Sequence, residues 1–165
     1  MTPRLIAYYD ARYITGSFGD PRPDGRIHEG TDLSHSSTPG LTPVPALLGG
    51  QVVNIWAPSS GHGYGHRIDI KTVEGVVSYA HLNSRSPFWM GQYVGQGDTV
   101  GYEGTSGFVS GSCVHIEHAV NGRKRDPLPL IRAVLASPAG IETTTITPKG
   151  VSNMLLFNGV GNPGQ

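Results

Sequence analysis

Apolar residues in this chain fall into short runs separated by polar turns, and several of the runs alternate. Residues 52–56 read as one strand. Over residues 66–70, Ile68 and Ile70 fall on one face, with Arg67, Asp69 and then Lys71 on the other. Residues 76–81 follow after a connection at 72–75, and the pair reads as an antiparallel hairpin. Further strands are predicted at 99–102, after a turn at 96–98, and at 113–120. Residues 5–9 read as an edge strand or a lead-in segment, and 13–18 run up to Gly19. The segments between, at 20–26, 35–45, 58–65, 83–90 and 104–112, are turn-forming loops rich in small and polar residues. One helix is predicted near the end. Asp126 caps it, Pro127 takes its first position, Leu128, Ile131 and Leu135 share a face, and Pro138 and Gly140 stop it. The pattern predicts one mainly β domain over residues 1–140. Residues 141–165, with a single apolar patch at 154–157, read as a tail or linker.

Composition sharpens this. The 24 glycines and 13 prolines make up about a fifth of the 165 residues, against roughly 12 per cent in ordinary chains. Such a chain cannot be a helical bundle or a coiled coil. The 12 basic residues balance the 12 acidic ones, so no basic excess exists to neutralise phosphates, and nucleic acid is excluded as a partner. No apolar run approaches the roughly 18 residues that cross a bilayer, so no membrane insertion is expected. The single cysteine, Cys113, excludes a disulfide framework and a multi-cysteine zinc knuckle. The first residues include Pro3, Arg4, Asp10 and Arg12 where a signal peptide would carry its apolar stretch.

Seven histidines supply the candidate chemistry. His28 and Asp32 lie in HEGTD, a spacing reminiscent of the helical HExxH zinc motif, with Glu29 in the place of the base. Gly30 and the loops on both sides argue against a helix there. From a loop or strand, His28 and Asp32 still suit one zinc ion, although at this spacing alone a surface His and Asp are commoner than a metal site. In CVHIEH, period-2 alternation puts Cys113, His115 and Glu117 on one face and Val114, Ile116 and His118 on the other. His115 and His118 therefore should not share a ligand set, and His115 also reads as a buried, satisfied histidine. His81 ends its strand and reads as exposed or functional. His62 and His66 flank a glycine turn, with His66 a possible rim residue, and His35 sits in a Ser/Thr loop facing solvent.

Taken in order, these segments resemble the lysostaphin/LytM-type zinc metallopeptidases that cut peptide bonds in bacterial peptidoglycan. The resemblance spans roughly residues 14–135. It is carried by ITGSFG (14–19), by His28, Gly30 and Asp32, and by Gly63, Tyr64 and Gly65. Tyr79, His81 and Leu82 continue it, followed by VGQGDTVGYEGTSG (94–107) and CVHIE (113–117). It implies an antiparallel, barrel-like β fold with an open groove. It also implies a zinc held by His28, Asp32 and His115 with water in the fourth place, and His81 as a catalytic histidine beside it. In the family a second catalytic histidine precedes the last ligand by two residues, and here Cys113 occupies that place. The thiol reads as a weak base, an added zinc ligand or an inert apolar residue. An added ligand would close the site and make it structural.

The resulting expectation is a zinc-dependent endopeptidase acting on peptidoglycan peptides. It is a phage lysin or a virion-associated hydrolase, either a monomer or part of a larger virion assembly, and resides in the host cytoplasm before release or in the virion. A catalytically degenerate module that binds zinc or wall peptide is the second expectation. A sugar-uptake phosphocarrier with paired histidines is disfavoured, because Asp32 would repel a phosphohistidine.

Overall fold

A computed structural model describes residues 3–137. The expected tail at 141–165 lies outside the described residues. The chain forms a short helix α1 (Pro3–Tyr8), then β1 (Ile14–Gly16), β2 (Thr31–Leu33), β3 (Pro43–Pro45), β4 (Gly50–Trp56), β5 (His66–Thr72) and β6 (Gly75–Leu82). There follow β7 (Tyr93–Val94), β8 (Thr99–Tyr102), β9 (Val114–Val120), β10 (Arg123–Arg125) and helix α2 (Leu128–Ala136). The main sheet runs β1-β2-β9-β6-β5-β4-β7, every pair antiparallel, and β10 folds back on the second half of β9. β3 and β8 form a separate two-stranded sheet. The fold is mainly β with one C-terminal helix, as the sequence predicts, and the sheet is open, with β1 and β7 as its two edges.

Alternation decides which face does what. Val52, Ile68, Ile70, Val77, Tyr79, Val114, Ile116 and Leu33 point into the core, where they meet Val44, Leu47 and Val100 and the two helices. Burial of this apolar surface is the main driving force for the fold. Tyr79 is the largest fully buried side chain among the described residues, and its hydroxyl accepts the Leu47 N–H at 2.7 Å. The opposite face of β5, β6 and β9 carries Arg67, Asp69, Ser78, His115 and Glu117, and these are buried too. The loops at 20–30 and 104–112 rise on this side and turn it into the floor of a groove.

Three expectations are corrected. Residues 5–9 are not a strand: Leu5, Tyr8 and Tyr9 are buried at positions i, i+3 and i+4, a helical spacing that docks α1 and the residue after it on the core. In α2, Asp126 Oδ1 accepts the Leu128 N–H at 2.9 Å, so the cap holds. Its buried stripe, however, is Leu130, Ile131 and Val134, with Leu128 and Leu135 half-buried beside it.

His35 is not in solvent. Its ring packs between Tyr8 and Tyr13, with centroids 4.4 and 3.9 Å away. Its Nδ1 lies 2.6 Å from Glu103 Oε1, and its Nε2 lies 2.9 Å from the Tyr8 carbonyl. Glu103 is completely buried and also accepts the Tyr8 hydroxyl at 2.9 Å and the His35 N–H at 3.0 Å. This knot ties α1 to the sheet. Glu103→Ala strands those buried donors and is expected to cost about 3–5 kcal/mol in urea unfolding, against about 1–2 kcal/mol for Tyr8→Phe. Equal, small losses in the two variants would show that the knot does not carry the docking of α1.

Candidate metal centre

Strand register builds the centre. On the β2–β9 ladder Asp32 stands directly opposite His115, and on the β6–β9 ladder His115 stands opposite Ala80. Opposed residues project to the same face, so Asp32 and His115 meet above the groove floor. Asp32 Oδ1 lies 2.7 Å from His115 Nδ1. His28, just before β2, brings its Nε2 to 2.9 Å from His115 Nδ1 and 3.2 Å from Asp32 Oδ1. The structure thus brings His28, Asp32 and His115 together.

The partners of the outer nitrogens fix the tautomers. His28 Nδ1 lies 2.8 Å from the Ser17 carbonyl, which can only accept, so Nδ1 carries the proton and Nε2 presents a lone pair. His115 Nε2 faces the Glu117 carboxylate at 3.4 Å, leaving His115 Nδ1 as the inward lone pair. Two lone pairs and a carboxylate oxygen therefore face one another, an arrangement that calls for a cation between them. Carbonyl and carboxylate support behind ligating imidazoles is the usual outer shell of a zinc site. His, His and Asp are donors suited to zinc, and this chain's residues fit it.

Electrostatics agree. Burial alone would raise the Asp32 carboxyl, yet the adjoining His115 and His28 rings hold it well below the usual carboxylate range. Burial opposes charge on His115, yet Asp32 and Glu117 together raise it above an ordinary histidine. Glu117 is itself held low against the effect of burial, by His115, Arg67 and Lys124. Arg67 Nη1 reaches Glu117 at 2.7 Å, and its other donors reach Asp69 at 2.6 Å and Ser78 at 2.9 Å. The Tyr64 hydroxyl donates to Glu117 at 2.8 Å, and Arg67 stacks on the Tyr64 ring. Burial, then Glu117, pushes the Tyr64 phenol up to about 12.

His81 reaches the groove by a break in alternation. The β5–β6 register shifts between His66 and Ile68, and His81 takes a left-handed φ of 59°. A bulge of this kind re-aims a side chain, and a non-glycine residue there carries strain of the sort found at functional sites. The His81 Nδ1 faces the Ser106 carbonyl at 2.8 Å, so Nε2 presents the lone pair, and the ring lies 5.8 Å from that of His115. Burial lowers the His81 pKa and keeps the ring neutral.

Cys113 lines the groove beside these residues but is not among the three that converge. Burial, then the negative charges of Asp32 and Glu103, pushes its thiol up to about 12. It is protonated at neutral pH. His118 faces away, with Nε2 on the Glu74 carbonyl at 2.7 Å. His62 lines the groove, edge-on to Trp56, while the His66 N–H is held by Ser106 Oγ.

Sequence reasoning missed Arg67, Lys124 and Ser106, which support the site, and Arg22, whose Nη2 lies 3.3 Å from Asp32 Oδ2. For Arg67 a signal existed: it alternates onto the same face as Asp69. The other three depend on long-range packing. Gly30 has a direct reason to lack a side chain. A Cβ there would sit 2.4 Å from the Ile116 carbonyl and 2.6 Å from His115 Cε1.

With this geometry established, comparison with known proteins places the chain. The pattern of Peptidase family M23 matches residues 26–127. Lysostaphin of Staphylococcus staphylolyticus is 31% identical over 131 residues, which are 76% of this chain and 26% of that protein. The chain thus spans about a quarter of the length of the curated relatives it matches. The catalytic domain of the antimicrobial peptidase lysostaphin from Staphylococcus simulans superposes with a TM-score of 0.61 at 26% identity, covering 78% of this chain and 95% of that one. A variant of the catalytic domain of the prophage-encoded M23 protein EnpA from Enterococcus faecalis gives 0.59 at 31% identity, covering 73% and 95%. A zinc-containing peptidase from Vibrio cholerae gives 0.59 at 29% identity, covering 71% and 36%.

Two outcomes are expected. Gly30→Ala pushes on His115 and is expected to lower zinc affinity by about tenfold or more, as changes to the groups that orient a ligand do; unchanged affinity in a competition titration would refute the close-packing account. Cys113, protonated well above the ordinary thiol range, reacts with iodoacetamide at pH 8.5 far more slowly in the native state than in denaturant. Equal rates would contradict a buried thiol.

Proposed function

Because this chain belongs to peptidase family M23, we propose that it is a zinc-dependent endopeptidase that hydrolyses peptide bonds in bacterial peptidoglycan. We further propose that it serves as a phage lysin or virion-associated cell-wall hydrolase. The observation that carries the reading is the convergence of three acceptor atoms, from His28, Asp32 and His115, on the floor of an open groove with a neutral histidine beside them. The likeness to an antimicrobial peptidase supports the wall substrate, and the likeness to a prophage-encoded domain supports the phage setting.

His28 Nε2, Asp32 Oδ1 and His115 Nδ1 would hold the zinc. When bound, zinc supplies Lewis acidity, polarising a carbonyl and lowering the pKa of water to roughly 7. The remaining work falls to the chain. The Ser17 carbonyl and Glu117 keep the ligand imidazoles in the required tautomers. His81, neutral and with Nε2 free, accepts a proton from the attacking water and returns it to the leaving amine. Tyr64, its phenol protonated, and Arg67 hold Glu117 in place.

One observation favours a second reading. The Cys113 thiol, buried and protonated, supplies neither a base nor a cation to the groove. A chain that depended on both groove histidines of its relatives would then be a zinc- or wall-peptide-binding module.

Zinc-loaded protein incubated with bacterial cell walls is expected to release amino groups, and His81→Ala to slow that release by about 10²–10⁴-fold. No release by the wild type, with release by Cys113→His, would establish the binding module instead. Zinc content is expected to fall sharply in His28→Ala, Asp32→Ala and His115→Ala, and unchanged content removes that residue from the ligand set. Protons compete with the metal for the imidazoles. Occupancy is therefore expected to be full at high pH and to be lost as pH falls through the histidine range. Flat occupancy from pH 8 to 5 would contradict the site.

A further inference from the structure

Hydrolysis of a peptide bond puts negative charge on the scissile carbonyl oxygen, and catalysis gains most from a donor already aimed at it. Beside the ligand set the groove presents His81, which is neutral, and Cys113, a protonated thiol. Two guanidinium groups line the same groove, from Arg22 and Arg26. Arg26 is committed on the rim: Nε and Nη2 both donate to Asp24 Oδ2, at 2.8 and 2.6 Å.

Arg22 is placed differently. Its backbone is pinned in a tight turn, with the Arg22 N–H on the Arg26 carbonyl at 2.9 Å and the Gly25 N–H on the Arg22 carbonyl at 3.0 Å. Prolines flank it on both sides. Its Nη2 lies 3.3 Å from Asp32 Oδ2, while Oδ1 of the same carboxylate faces His28 and His115. An arginine that existed only to hold Asp32 would close its fork on the carboxylate in two short bonds. This one makes a single contact beyond the usual 2.7–3.2 Å range. A guanidinium carries five N–H donors, so the rest of the fork is left for the groove, and the side chain is half-exposed to it.

We propose that Arg22 is a catalytic residue of this groove, whose guanidinium donates hydrogen bonds to the scissile carbonyl oxygen as that oxygen becomes negative. The proposal rests on the endopeptidase reading. Water adds to the carbonyl carbon, the C–N bond breaks, and the proton travels through His81 to the amine. Arg22 transfers no proton and supplies the fixed positive charge that the Cys113 thiol beside it does not.

The test compares zinc-loaded wild type, Arg22→Gln and Arg22→Lys. It uses zinc affinity by chelator competition, binding of inorganic phosphate as a tetrahedral oxyanion probe by calorimetry, and kcat and KM for amino-group release from cell walls. Arg22→Gln is expected to keep zinc affinity within about threefold, to weaken phosphate binding about tenfold or more, and to lower kcat about 10²-fold with little change in KM, as for loss of one oxyanion donor. Arg22→Lys restores part of both losses. Zinc affinity falling in parallel with phosphate binding would overturn the proposal in favour of a positioning role on Asp32, and unchanged phosphate binding would overturn it outright. Wall release that Arg22→Gln leaves intact overturns this proposal alone, whereas no release by the wild type overturns the endopeptidase reading beneath it.

Discussion

Three proton acceptors pointed at one another are an unstable arrangement unless a cation lies between them. His28 Nε2, His115 Nδ1 and Asp32 Oδ1 are within 3.2 Å of one another, and each is locked in that role from behind. The Ser17 carbonyl takes the outer proton of His28, and Glu117 takes that of His115. Much of the surrounding structure serves this constraint. The β2–β9 register sets Asp32 against His115, and Gly30 leaves the close approach open.

Glu117 is the next link outward. A buried carboxylate is costly unless it is paired and hydrogen-bonded, and Arg67, Lys124 and Tyr64 all converge on it. The floor of the groove is therefore a buried ionic layer rather than a second apolar face. Breaking one member would leave the others uncompensated, so changes there should reach the ligand set through His115. On the other side of the sheet a similar principle acts at Glu103, which joins His35 and Tyr8 and so anchors the N-terminal helix to the strands.

Much of this was legible in the sequence. The alternating runs give β4, β5, β6, β8 and β9 close to their bounds, and His28, Asp32 and His115, which the structure brings together, stand out once the motifs are taken in order. What escaped was whatever depends on distant neighbours. Residues 5–9 carry a helical spacing too short to outweigh the strand-like run of apolar side chains. His35 sits in a Ser/Thr loop, and nothing local reveals that Glu103, 68 residues later, will bond to it. Arg67 and Asp69 look like a solvent face, because alternation says which residues share a side but not what covers that side. His81 defeats alternation altogether, since its left-handed φ turns it to the groove from a position that a regular strand would aim elsewhere.

The central claim is that three residues hold the metal, that Cys113 does not, and that one coordination position stays open. X-ray absorption at the zinc edge tests it most directly. The account predicts one zinc per chain with nitrogen and oxygen ligands only, at roughly 2.0–2.2 Å, and a spectrum unchanged in Cys113→Ala. A sulfur ligand at roughly 2.3 Å that disappears in Cys113→Ala would contradict it and make the centre a closed, structural one.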